Sequence, residues 1–335
     1  MKALVTGASG FIGYHLGHIL SQHGYEVYGL VRSTSASGLW NELGLSTRQG
    51  DVNDPASLQT AFQGIEVVFN LAGITKSLRN SDYHRVNAEG AENVAKACLE
   101  CGVSTLVQVS SLAAAGPSVH GQLRQESDSP QPVSVYGSSK LAGELALRPF
   151  ADRLAISVVR PPIVLGEGDH VSLQLYRCIA MHLHVMPGYR HRRYSIIHAD
   201  DLAQALLAVA NKGERLPSPT ATDNIHQGIY FAAVDWQPTY WELGSLIARS
   251  LNSWYVPFFV PIPAVTALGS IGDLIGHVVG RPMFFCRDKG REAAAYGEWI
   301  CDASKAKNQL GLQAKLPLEE RLRQAVVWYQ KRGWL

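Results

Sequence analysis

Apolar residues run in short, nearly unbroken blocks through the first half of the chain. Each block gives way to a stretch whose apolar positions fall three and four apart. Residues 2–6 (KALVT), 25–32 (YEVYGLVR), 46–52 (STRQGDV), 66–73 (EVVFNLAG), 104–111 (STLVQVSS) and 154–164 (LAISVVRPPIV) predict six strands of the kind buried on both faces. The intervening period predicts helices over 11–24, 55–62, 81–100 and 135–151. Strands alternating with helices predict an α/β fold, a Rossmann-type doubly wound parallel sheet covered by helices on both faces.

After Gly166 the alternation breaks down. Residues 192–211 predict a short strand entering a helix, 228–234 another strand, 239–252 a helix and 318–333 an amphipathic terminal helix. The chain therefore divides into a Rossmann domain over 1–165 and a smaller, partly interleaved substrate lobe over 166–335. Strand and helix returns to the first domain are expected from about 193–212 and 228–234. Residues 254–280, WYVPFFVPIPAVTALGSIGDLIGHVVG, approach the roughly 20 residues of a membrane span. Three prolines, Asp273 and His277 interrupt them, so they read as a Pro-rich loop followed by a buried or lid helix, with membrane contact the less favoured alternative.

Composition narrows the partners. In 335 residues, 46% are hydrophobic and 17% charged, which suits a large core and excludes disorder. A net charge of +2 without a basic block gives no reason to expect nucleic acid. The five cysteines are an odd number and argue for a reducing, cytoplasmic setting; a strand beginning at once leaves no room for a signal peptide. Cys98 and Cys101 have CxxC spacing but lack a second ligand pair, and His182 and His184 lack a third ligand, so no metal site is expected.

Candidate chemistry starts at VTGASGFIG, where Gly7, Gly10 and Gly13 lie between the first strand and the first helix. Glycines there permit a tight turn, close approach to a pyrophosphate, and close helix–strand packing. The turn makes Gly7, Ser9, Gly10, Phe11, Ile12 and Gly13 a candidate dinucleotide cradle, with the Ser9 hydroxyl as an added phosphate contact. Arg32 ends the second strand, where a carboxylate would select NAD; its guanidinium selects NADP instead. Further along, Tyr136 and Lys140 stand four residues apart at the start of a helix. They share one face, either as an ordinary amphipathic helix with one exposed lysine or as a proton-transfer pair.

TGASGFIG, VSS and YGSSK together resemble the extended short-chain dehydrogenase/reductase superfamily, within it the NAD-dependent epimerase/dehydratase family. The resemblance covers most of the chain. It implies that Tyr136 is the general acid/base, that Lys140 holds ribose and lowers the tyrosine's pKa, and that Ser111 holds the substrate oxygen, fitting the family spacing better than Ser110. GDVND implies Asp51 and Val52 near adenine; FNLAG implies Leu71, Ala72 and Gly73 along the cofactor. The asparagine-bearing helix implies Asn87, and the fifth and sixth strand ends imply Val109, Pro161 and Ile163.

Departures within the family narrow the reaction. Ser111 is followed by LAAAG, without the Asp-Glu pair of the dehydratases. Arg160-Pro161-Pro162-Ile163 is similar to the 3β-hydroxysteroid dehydrogenase and dihydroflavonol reductase branch rather than to the epimerases. PFFVPIPAVTALG and PMFFC suggest an apolar pocket wall. Against this, Arg193, with Arg190, His191 and Arg192, occupies the place where nucleotide-sugar enzymes of the family bind a diphosphate. The expectation is an NADP-dependent reductase/dehydrogenase acting on an apolar small molecule, with a nucleotide-sugar epimerase as the alternative. Helices over 81–100 and 134–150 offer a homodimer interface.

Overall fold

The computed structural model describes residues 1–34, 38–119, 121–188, 191–218, 220, 226–283 and 285–335. Its strands are β1 Lys2–Thr6, β2 Glu26–Val31, β3 Ser46–Gln49, β4 Val67–Asn70, β5 Thr105–Val109, β6 Ala155–Arg160, β7 Ile163–Leu165, β8 Leu183–Pro187, β9 Ile196–His198, β10 Ile229–Phe231 and β11 Val256–Val260. Seven form one parallel sheet in the order β10-β6-β5-β4-β1-β2-β3. The order reverses between β1 and β4, and the crevice outside their carboxyl ends is where a doubly wound sheet binds its ligand. Every residue of β4, and all but the first of β1 and β5, is buried, as unbroken apolar runs require.

Two apolar layers sandwich the sheet. One joins Leu16, Ile19 and Leu20 of the first helix to Leu202, Leu206 and Val209 of the helix Ala199–Lys212. The other joins Val68 and Leu106 to Val94 and Cys98 of the helix Gly90–Glu100. A separate cluster in the smaller lobe packs Leu173, Tyr176, Leu246 and Ile247 against Leu322 and Tyr329 of the terminal helix.

Several elements differ from the sequence reading. The third strand ends at Gln49, and the sixth splits at Pro161-Pro162, because proline cannot donate into a central ladder. Its continuation, β7, pairs with β9 outside the main sheet. The helix expected over 81–100 contains a π-helical turn, Arg85–Glu89, which carries Asn87. The Pro-rich loop is largely strand: β11 lies parallel to β8 in a two-stranded sheet, where Pro257 sits on an edge. The following helix, Ile262–Val279, buries only Val265, Gly269, Gly272 and Gly276, so of the two readings, a buried or a lid helix, it is not the buried one.

A buried charge cluster ties the first helix to the smaller lobe. His15 Nδ1 lies 2.6 Å from Asp200, His198 Nε2 lies 3.2 Å from Glu167, and Arg321 bonds both Asp200 and Asp201. Burial opposes charge on His15, yet its bonds to Asp200 and Glu167 win and raise its pKa above 6.5. Burial likewise opposes the Asp200 carboxylate, but His15, His198 and Arg321 hold it well below 3.8. A raised histidine stabilises the fold fully below 6.5 and loses that contribution as pH rises through its folded value. The depressed aspartate contributes above 3.8 and loses it as pH falls. Melting temperature should therefore decline on the alkaline side of pH 6.5, and His15→Gln should flatten that decline; an unchanged alkaline limb in the variant would refute the assignment.

Candidate active site

The glycine turn sits at the carboxyl end of β1. Gly7 has φ +68°, and a Cβ there would stand 2.9 Å from the Leu71 carbonyl carbon. A Cβ on Gly13 would stand 2.6 Å from the Gly7 oxygen and 2.8 Å from Ala8 Cα. Gly10 caps the helix Phe11–Gln22 without a side-chain hydrogen bond, and no acidic residue occupies its first turn. Free N–H groups and a positive helix end directed at an unobstructed backbone cradle fit a pyrophosphate. Ser9 and Gly10 are exposed there, with Phe11 and Ile12 half-buried behind them.

Most of the other expected cofactor residues lie at or just beyond the ends of strands β2 to β6. Arg32 is exposed just after β2. Asp51 accepts hydrogen bonds from the backbone and side-chain amides of Asn53, at 2.8 and 2.9 Å, and Val52 is buried beside it. Beyond β4, Ala72 N donates to Thr6 Oγ1 at 2.9 Å, which places Leu71, Ala72 and Gly73 against the glycine turn. A Cβ on Gly73 would meet Asn87 Oδ1 at 2.9 Å and Lys140 Nζ at 3.5 Å. The Asn87 amide is structural: it accepts from Ile74 N at 2.8 Å and donates to the Ile74 carbonyl and Ser139 Oγ. Pro161 holds Leu112 N through its carbonyl at 2.8 Å, and Ile163 is exposed at the start of β7.

Ser111, Tyr136 and Lys140 converge at the end of β5. The helix Val135–Leu147 begins at Ser134, whose Oγ accepts from Gly137 N at 2.9 Å, so Tyr136 and Lys140 lie one turn apart. Lys140 Nζ is buried and donates to the Val109 carbonyl at 2.7 Å. Burial pushes its ammonium down to about 8, with Glu144 opposing. The Ser111 hydroxyl accepts from Ala113 N at 3.1 Å and acts on the Tyr136 phenol to favour its ionised form. Ser110 points elsewhere, its hydroxyl donating to Glu144, which pairs with Arg160 at 2.6 Å.

The tyrosine's electrostatics involve groups that the sequence alone does not bring near it. Burial raises the Tyr136 pKa, while Lys289 and Ser111 pull it down and Glu292 raises it again. The Lys289 ammonium lies over its ring, 5.3 Å from the centroid. Lys140 itself donates to the Val109 carbonyl.

Lys289 belongs to a clamp that sequence reasoning missed. Asp288 accepts from Val135 N at 2.7 Å and Tyr136 N at 2.9 Å, satisfying the first amides of the helix. Glu292 accepts from Ser134 Oγ and from Lys289 Nζ, both at 2.8 Å. The charged run RDKGRE was the available signal, but nothing local tied it to a tyrosine so far upstream.

The proposed diphosphate arginine is also engaged. Arg193 makes a bidentate pair with buried Glu298, at 2.9 and 2.7 Å, and holds that carboxyl down to about 2. Arg192 donates to the Ala293 carbonyl, His191 is exposed, and Arg190 lies outside the described residues. The apolar segments expected to wall a pocket are in part turned outward, with Phe258 57% and Leu268 50% exposed, while Val265 and Cys286 are buried. Phe284 lies outside the described residues.

A doubly wound parallel sheet with a glycine-rich first turn, and a serine, tyrosine and lysine gathered at its carboxyl edge, defines a nicotinamide-dinucleotide oxidoreductase class. The family model for the NAD dependent epimerase/dehydratase family matches residues 3–223. The chain belongs to that family, and so to the extended short-chain dehydrogenase/reductase superfamily; it is an NAD(P)-dependent oxidoreductase of that type. It is 30% identical to a ceramide reductase of Caulobacter vibrioides, over 99% of this chain and 95% of that one. It is 28% identical to a putative dihydroflavonol 4-reductase of Synechocystis sp., over 99% and 95% of the two chains. A Thermotoga maritima UDP-glucose 4-epimerase structure shares the fold, with a TM-score of 0.78 at 22% identity over 99% of this chain and 100% of that one.

Proposed function

We propose that this chain is an NADP-dependent reductase/dehydrogenase acting on an apolar, lipid-like carbonyl compound. A bound nicotinamide supplies or accepts the hydride at the carbonyl carbon. Tyr136 Oη gives a proton to the carbonyl oxygen, or takes it back in the reverse direction, and Ser111 donates a hydrogen bond to the same oxygen. Lys140 holds the ribose, and the glycine turn holds the pyrophosphate. Asp288 and Glu292 fix the start of the tyrosine's helix, and Lys289 above its ring favours the phenolate.

The observation that carries the choice of substrate is the Arg193–Glu298 pair. A guanidinium whose Nε and Nη2 already donate to a buried carboxylate, and whose charge that carboxylate balances, is a weaker ligand for a nucleotide-sugar diphosphate. The relatives named as ceramide and dihydroflavonol reductases support the same side. Thermal melting of the NADPH-loaded protein tests this: millimolar UDP or dTDP should leave the midpoint unmoved, whereas a ligand at a hundred times its Kd stabilises by ~2.7 kcal/mol. A clear shift would favour the epimerase.

Cofactor choice rests on Arg32. Arg32→Asp places a carboxylate where the 2′-phosphate is expected and should lower the NADPH-over-NADH preference by roughly 10- to 100-fold, about 1.4–2.8 kcal/mol. The ratio of kcat/KM with the two cofactors measures it, and an unchanged ratio would remove Arg32 from the site.

A further inference from the structure

We propose that the helix Ile262–Val279 and the outer face of the β8–β11 sheet form a surface that docks on an anionic lipid bilayer. The helix distributes its residues in the reverse of the usual way. The side chains it buries are small: Val265, Gly269, Gly272 and Gly276, at spacings of four, three and four. A Cβ on Gly272 would stand 2.0 Å from the Phe285 oxygen, and one on Gly269 2.8 Å from the Cys286 oxygen, so this seam is packed backbone to backbone. The large side chains Leu268, Ile271, Leu274, Ile275 and Val278 share another face and lie in the open, Val278 at 82% exposure. Thr266, Ser270, Asp273 and His277 make a third, polar face. A helix seated to fill a core would bury its leucines and isoleucines.

The adjoining sheet continues the pattern. Val256 lies opposite Leu183 and Phe258 opposite Val185, and all four are exposed, while His184 and Met186 point inward. Trp254, 62% exposed, and Met181 extend the surface at one end. Val260 leads through Pro261 directly into the helix. An exposed apolar surface of this extent marks an interaction site.

Charge selects the occupant. Arg281 follows the helix, and Arg287 and Arg291 lie on the helix Arg287–Ala294 that packs on the glycine seam; all three are exposed. Arg287 is 3.8 Å from Asp273, but Arg281 and Arg291 have no carboxylate partner among the described residues. An apolar face with an aromatic at its end, and exposed arginines just after it and on the helix packed beside it, is the composition of a helix lying in the plane of a membrane interface. The packed glycine seam favours that in-plane placement over a span. The segment on the inner side of the seam also carries Asp288, Lys289 and Glu292, so the docked surface is one helix away from Tyr136. Docking goes beyond the reductase reading and stands whatever the substrate is.

Flotation of the full chain with phosphatidylglycerol/phosphatidylcholine vesicles, and with phosphatidylcholine alone, tests the proposal. The wild type should float with the anionic vesicles and lose binding as salt rises. The double variant L274E/V278E should bind at least tenfold more weakly with an unchanged melting temperature, since both positions are exposed; L274S/V278S serves if the charged pair perturbs folding. R281E/R291E should lose at least fivefold on anionic vesicles and little on neutral ones. Failure of the wild type to float, or flotation unaffected by both helix variants, would overturn the proposal. So would a dimer that dissociates in L274E/V278E without lipid binding by the wild type, which would assign the surface to a second copy.

Discussion

Tyr136→Phe should lower turnover by roughly 10²–10⁴-fold, the range that a positioned proton donor contributes. The phenylalanine ring keeps the packing beneath Lys289 and removes only the phenolic oxygen. Cofactor affinity should therefore stay within a few-fold of wild type, because the glycine turn and Lys140 are untouched. Steady-state rates paired with a fluorescence titration of NADPH separate the two effects. Retention of near wild-type turnover would remove Tyr136 from the chemistry. A fall in cofactor affinity as large as the fall in rate would make it a structural residue.

A second large effect is expected in the cradle. Gly13→Ala forces a methyl group to within 2.6–2.9 Å of Gly7 and Ala8 backbone atoms. Backbone cannot rotate away as a flexible side chain does, so the helix Phe11–Gln22 has to lift from β1. Such overpacking costs about 1–3 kcal/mol. If the cradle bears that distortion, cofactor affinity falls by roughly 5- to 150-fold. A melt without cofactor reads the first number and an NADPH titration the second. Wild-type affinity in a destabilised variant would mean that the turn shapes the fold without holding the pyrophosphate.

Elements whose cause is local were legible in the chain. β1, the glycine turn and the helix after it follow one another within two dozen residues, each specified by its own apolar period or by glycines at fixed spacing. Tyr136 and Lys140 share a helix face because of their spacing alone. What escaped reading was tertiary. The Asp288 carboxylate meets the amides of Val135 and Tyr136 only once the smaller lobe folds back over the sheet. Arg193 looked like an anion ligand because Glu298, its partner, lies far along the sequence. Pro257 and Pro261 suggested a loop, although an edge strand tolerates proline. The apolar content of 254–280 marked the segment but could not say that the glycines of Ile262–Val279, rather than its leucines, would turn inward.

Reaction with C4-deuterated NADPH separates the central reading from its alternative. The protein is incubated with that cofactor and a panel of hydrophobic ketones and, separately, with UDP-hexoses; product and cofactor are then quantified. One alcohol per NADPH consumed, with deuterium on the carbinol carbon and formation slowed in Tyr136→Phe as above, is the predicted result. Interconversion of a UDP-hexose without net consumption of cofactor would contradict it.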